Sequence, residues 1–128
     1  MTKLPTTGLA STYSDYFVNK PTSNGEIYTH EVYTSAVLPK ERWYVVPMGT
    51  LQYLRRGTRE VVVKLNDRGA GDGTMDCVLD LSRAAMAALM GCKVSDITDS
   101  NAGLIKLDLI CIVPSAATPR GPVAPARS

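Results

Sequence analysis

Only one histidine and three cysteines occur in the 128 residues, and that scarcity excludes the commonest metal chemistry. Cys77, Cys92 and Cys111 form no CxxC pair, and His30 has no cysteine near it in sequence, so no structural zinc site is expected. An odd number of cysteines among apolar neighbours predicts buried free thiols. Net charge is only +2, and no basic run is interleaved with aromatic residues, which argues against nucleic-acid binding. No stretch approaches the roughly 20 apolar residues of a membrane-spanning helix. Met1–Gly8 lacks the apolar core of an export signal, so none is expected in this chain. The sequence thus predicts no metal, no cofactor, no nucleic-acid partner and no membrane span.

What remains is an ordinary globule, 45% apolar and 20% charged, long enough for one domain with its own core. The polar, turn-rich residues 1–9 predict a flexible N-terminal arm. Residues 114–128 are rich in Pro, Ala and Ser and predict an extended tail, or a strap laid on a protein partner. The folded unit is expected over residues 10–113, with no internal repeat.

Strand signals dominate that unit. Leu51–Arg55 and Glu60–Leu65 flank Arg56-Gly57-Thr58-Arg59, a hairpin turn by composition. Trp43–Val46 and Met75–Leu79 are further strand candidates. In Leu104–Val113, period two places Ile105, Leu107, Leu109, Cys111 and Val113 on one face, with Lys106 and Asp108 opposite. A single helix is expected over Ser82–Met90, with Ser82 or Asp80 as its N-cap and Gly91 in the left-handed position beyond its end. Many short strands with one strand–helix junction predict a small barrel of mixed connectivity.

Five blocks carry a family likeness. They are Ala10-Ser11-Thr12-Tyr13, Thr22-Ser23-Asn24-Gly25-Glu26-Ile27-Tyr28, Pro47-Met48-Gly49-Thr50, Val61–Gly69 with its Asn66-Asp67-Arg68-Gly69, and Leu79-Asp80-Leu81-Ser82-Arg83-Ala84-Ala85. In this order and spacing the chain resembles the rare lipoprotein A family and is more distantly similar to the catalytic domain of expansins. The resemblance implies a mainly β fold, a six-stranded double-psi β-barrel with one or two short helices. It also implies peptidoglycan glycan strands as the partner and lytic transglycosylase cleavage as the activity.

A transglycosylase can work with one carboxyl group, which protonates the glycosidic oxygen and then takes a proton from the sugar's own 6-hydroxyl. Burial must raise its pKa for that. The resemblance gives this role to Asp80, whose bland alternative is the helix cap. Glu26 and Asp67 are the supporting catalytic candidates, against a solvated loop residue and a turn-stabilising one. Tyr13, Asn24, Asn66 and Arg68 are expected to line the sugar site. Trp43, Tyr44 and Tyr53 could stack on sugars but as strand residues read as barrel wall.

The chain also departs from the family, which has an Asp three residues after the Glu and a His ending a Thr-Ala-Ala-His run. Thr29 and Val37 stand there instead. Two functions are therefore expected side by side. One is a peptidoglycan-directed enzyme. The other is an inactive structural or glycan-binding module of a virion or cell-envelope assembly. The missing export signal suggests a bacteriophage tail or baseplate component carried to the wall by the particle, with arm and tail bound to neighbouring proteins. The alternative location is the cell envelope or periplasm.

Overall fold

The structure, a computed structural model, describes residues 6–37, 47–68, 77–113 and 118–123. Its strands are β1 (Gly8–Thr12), β2 (Thr34–Val37), β3 (Leu51–Arg56), β4 (Arg59–Arg68), β5 (Cys77–Leu81), β6 (Ile105–Leu107), β7 (Leu109–Ile112) and β8 (Gly121–Pro122), with one helix, α1 (Arg83–Met90). The expected strand at Trp43–Val46 lies outside the described residues.

Hydrogen bonding runs in the order β6-β1-β5-β2-β4-β3-β7. The two ends of that path, β6 and β7, are separated only by Asp108, so they form one kinked strand path. Its first half pairs with β1 and its second with β3. The sheet therefore closes on itself as a barrel of six strand paths. Parallel pairs β1–β5 and β2–β4 alternate with antiparallel ones, the mixed connectivity expected from the sequence.

Asp108 also changes the inside of that last strand. Its backbone N–H donates to Arg55 O (2.8 Å) and its carboxylate accepts from Gly57 N–H (2.7 Å). This kink at the hairpin turn shifts the pleat by one residue. The inward side chains are Ile105, Leu107 and Ile110, while Leu109 and Cys111 are only half-buried. The single face expected from Ile105 to Val113 is thus corrected to two shorter ones with a phase change between them.

The hairpin β3–β4 turns through Gly57-Thr58, with Gly57 at φ 61°, a left-handed position that glycine adopts without strain. Leu54, Val61, Val63 and Leu65 from it meet Leu79, Leu81, Leu107 and Ile110 in the main core, and α1 adds Met86 and Leu89. Ser82 is the N-cap of α1, its hydroxyl accepting from Ala85 N–H (3.3 Å), and Gly91 ends it at φ 77°. Ser82 takes the capping role, so Asp80 is free of it.

Both ends extend further onto the barrel than the expected boundaries. β1 starts at Gly8, inside the expected arm. Gly121–Pro122, inside the expected tail, pairs with Val61 and Val62 of β4 in the same chain, and Val123 N–H donates to Glu60 O (3.0 Å). With β3 on one edge of β4 and β2 bonded only to residues 64–68, β8 covers the edge that β2 leaves open. Cys92 and Cys111 are half-buried free thiols, and Cys77 is buried. Among the described residues no helix is long and apolar enough to cross a membrane.

Candidate active site

Strand register assembles the site. Ser11 of β1 lies opposite Asp80 of β5, Asp80 opposite Ala36 of β2, and Ala36 opposite Asp67 of β4. In-register neighbours project to the same face, so four adjacent strands present Ser11, Asp80, Ala36 and Asp67 as one row. Two strand spacings of about 4.8 Å separate the two aspartates along it. Ala36 between them has no side chain beyond Cβ and is fully buried, packed against Tyr13 and Tyr28.

A bulge puts Asp67 there. The β2–β4 register steps from Ser35↔Leu65 to Ala36↔Asp67, leaving Asn66 as the extra residue. Without that step, strict alternation would turn Asp67 inward with Leu65, which is fully buried.

The two aspartates have different surroundings. Asp80 is half-buried and, among the described residues, accepts one side-chain hydrogen bond, from Ser11 Oγ (3.1 Å). Its pKa is pushed up to about 6, mainly by burial; the Ser11 hydrogen bond opposes this and the charge of Asp67 adds to it. Asp67 is ringed by donors: Tyr13 hydroxyl (2.8 Å), Ser23 N–H (2.9 Å), Ser23 hydroxyl (2.6 Å) and Arg68 N–H (2.9 Å). One carboxyl group is thus poised to give up a proton near neutrality and the other is held as an acceptor, a pairing suited to acid–base chemistry.

On the same face as the row, Tyr13 and Tyr28 stack at 4.2 Å between centroids and 11° between planes, against Ala36. Burial, and then the neighbouring Asp67, raises the Tyr13 pKa, so its hydroxyl stays a donor. Tyr28 in turn meets His30 Nδ1 (2.7 Å), and His30 Nε2 donates to Asp15 Oδ1 (2.9 Å). Arg83 at the start of α1 holds the same end of the site, donating to Tyr13 O (3.1 Å), Asp15 Oδ1 (2.9 Å), Ile97 O (3.2 Å) and Asp99. Ala36→Leu is expected to cost about 1–3 kcal/mol by overpacking the stacked tyrosines, measured by urea unfolding.

The remaining sequence candidates are placed as follows. Glu26 pairs with Lys64 and accepts from Asn66 Nδ2 (3.0 Å). The Lys64 hydrogen bond, followed by those from Asn66 and Asn24, outweighs desolvation and lowers its pKa to about 2. Near neutral pH Glu26 is therefore an anion and has no proton to donate. Asn24 shapes the loop, its Oδ1 accepting from Thr22 hydroxyl (2.7 Å) and Glu26 N–H (3.1 Å). Asn66 is buried behind Glu26. Arg68 is exposed at the end of β4, its register partner being Val37, one step beyond the row. Glu26, Asn24 and Asn66 thus form a brace that carries Ser23 to Asp67. Tyr53, half-buried on β3, donates to Glu60; Trp43 and Tyr44 lie outside the described residues.

Ser11, Ser23, Tyr28, Lys64 and Arg83 are the site residues that sequence reasoning did not single out. All five lie within the family-like blocks, which was the signal available, but only tertiary contact shows that they belong to the site. Val37 sits in the main core, on the opposite face of β2 from Ala36. The valine at the family's histidine position therefore faces away from the carboxylate row. Among the described residues no group of three or more His, Cys, Asp or Glu side chains could hold a metal ion.

Comparison with known proteins gives consistent matches. A family model described as lytic transglycolase matches residues 6–108. Over 103 residues the chain is 35% identical to an endolytic peptidoglycan transglycosylase RlpA of Pasteurella multocida, covering 79% of this chain and 32% of that protein. Over 84 residues it is 34% identical to a probable endolytic peptidoglycan transglycosylase RlpA of Treponema pallidum, covering 64% and 24%. The chain thus spans a third or less of the length of these curated relatives. Among solved structures, the apo expansin of Clavibacter michiganensis matches with a TM-score of 0.60 and 26% identity, over 89% of this chain and 52% of that one. An Asp-to-Asn variant of that expansin, in complex with cellohexaose, matches at TM-score 0.61 and 22% identity over the same shares. Cerato-platanin 3 of M. perniciosa matches at 0.54 and 12%, over 84% and 93%.

Proposed function

Because the chain belongs to the lytic transglycolase family of double-psi β-barrels, we propose that it cleaves peptidoglycan glycan strands as a lytic transglycosylase, with Asp80 as acid and then base. The observation that carries this reading is the carboxyl group of Asp80, raised to about 6 by burial and set across Ala36 from the donor-ringed Asp67. The relatives named for peptidoglycan cleavage supply the substrate class.

In the proposed reaction the Asp80 carboxylic acid gives its proton to the glycosidic oxygen as the bond from that oxygen to the sugar's C1 breaks. The 6-hydroxyl oxygen of the same sugar bonds to C1, and its proton returns to the Asp80 carboxylate. The products are a 1,6-anhydro sugar end and a free 4-hydroxyl end; no water is consumed and Asp80 is regenerated. Asp67 supplies negative charge opposite the cation-like sugar of the transition state, while Tyr13 and Ser23 fix its position. Glu26, ionised and paired with Lys64, braces the loop that carries Ser23.

Val37, at the family's histidine position, faces the core and leaves the row of Ser11, Asp80, Ala36 and Asp67 intact. A cell-envelope setting follows from the substrate.

Digestion of purified sacculi, with fragments read by mass spectrometry, tests the reading. Anhydro-muropeptides are the expected product. Fragments with reducing ends would mean hydrolysis instead, and sacculus binding without release would leave a glycan-binding module.

A further inference from the structure

Tyr16 and Phe17 have no part in the chemistry just described. Yet these two adjacent rings are 68% and 41% exposed, the only aromatic side chains among the large exposed apolar ones of the described residues. They sit in a single 3-10 turn, Asp15–Phe17, whose position is fixed from several sides. Asp15 is bound through its carboxylate to His30 and Arg83, and its N–H donates to Asp99 Oδ1 (3.0 Å). Phe17 N–H donates to Ser14 O (3.2 Å), and Phe17 O accepts from Lys20 N–H (3.1 Å).

The rings are continuous with the carboxylate row. Phe17 meets Tyr13 edge-on at 5.6 Å, and Tyr16 meets Phe17 edge-on at 5.1 Å. Tyr13 is the residue whose hydroxyl bonds Asp67. The Lys20 ammonium lies 4.4 Å from the centroid of Tyr16, a cation–π contact that covers one face of that ring and holds it in place. Even so, Tyr16 stays 68% exposed. Rigid, exposed rings carry little ordering cost on binding, and a pyranose offers an apolar face of C–H groups that suits such a surface.

Resting on the peptidoglycan reading, we infer that Tyr16 and Phe17 form a saccharide-stacking subsite that extends the site outward from Tyr13. Its occupant is a pyranose ring of the same glycan strand, outside the bond being cleaved. Lys20 acts through Tyr16 as a positioning residue.

Tyr16→Ala tests this without threatening the fold, since the side chain is mostly in water; Tyr16→Phe keeps the ring, and Phe17→Ala is the second lesion. Binding of chitohexaose by titration, and KM and kcat on soluble glycan strands, are the measurements. Tyr16→Ala is expected to weaken chitohexaose binding and raise KM by about 3- to 10-fold, the range of one aromatic contact, with kcat within twofold of wild type. Tyr16→Phe is expected to restore both. Unchanged binding and KM in Tyr16→Ala and Phe17→Ala, with cleavage intact, would overturn the subsite and leave the enzyme. Weakened binding in both variants, with a wild type that cleaves nothing, would keep the subsite and overturn the enzyme. A wild type that binds no chitohexaose would overturn the subsite directly.

Discussion

Replacing Asp80 by Asn should remove glycan cleavage and at the same time make the protein more stable at neutral pH. The activity loss is expected at about 10²- to 10⁴-fold, the contribution of a single acid–base group. Asparagine keeps the shape and can still accept from Ser11, so binding to sacculi should survive.

The stability gain follows from the raised pKa. An aspartate that titrates near 3.8 when unfolded and about 6 when folded binds its proton more tightly in the folded state. The group therefore favours folding when protonated and opposes it when ionised. Its cost is absent below about pH 4, grows between 4 and 6, and is full above that. About two pKa units correspond to an upper bound of about 3 kcal/mol. Asp80→Asn should recover a large part of that at pH 7 and none at pH 4. Chemical denaturation at the two pH values measures it; an equal effect at both would mean that Asp80 is not desolvated in the folded protein. The same titration gives the wild-type rate its alkaline limb, a tenfold fall per pH unit above about 6. A flat profile to pH 8 would exclude Asp80 as the proton donor.

Arg83→Met should have the largest effect on stability, a loss of about 3–5 kcal/mol. The Arg83 side chain is 4% exposed, and its guanidinium binds four acceptors from two separate segments, 13–15 and 97–99. Removing it leaves the carbonyls of Tyr13 and Ile97 without this donor and frees Asp15 from one of its anchors. At this chain length the loss corresponds to a melting temperature lower by about 10–20 °C. Arg83→Lys should recover little, because one ammonium cannot reproduce a planar fork that reaches Tyr13, Asp15, Ile97 and Asp99 together. Full recovery by lysine in thermal melts would show that the charge matters and the geometry does not.

Legibility in the sequence followed the range of the interaction. The β3–β4 hairpin and the Ser82 and Gly91 ends of α1 are set by residues within a few positions of one another, and composition revealed them. The phase change at Asp108 depends on Arg55 and Gly57, more than fifty residues away, so period-two counting ran through it. The family likeness brought Asp80, Asp67 and Tyr13 together before any geometry was known. It could not separate Asp80 as acid from Asp80 as cap, because both readings use the same strand–helix junction; the Ser82 hydroxyl on Ala85 gives the cap to Ser82. Nor could it reveal that Glu26 is paired. Lys64 lies 38 positions away, and the bulge at Asn66 that decides which face Asp67 occupies has no local spelling.

The row of Ser11, Asp80, Ala36 and Asp67 has a kinetic implication. Its members come from four strands, and the hydrogen bond between Ser11 and Asp80 spans 69 positions. No hairpin or helix–strand fragment contains two of the row's neighbouring strands, so no partly folded intermediate that lacks long-range pairing can hold the two carboxyl groups in place. Catalytic competence should therefore be the last property to return on refolding, later than secondary structure, which makes turnover a clock for barrel closure.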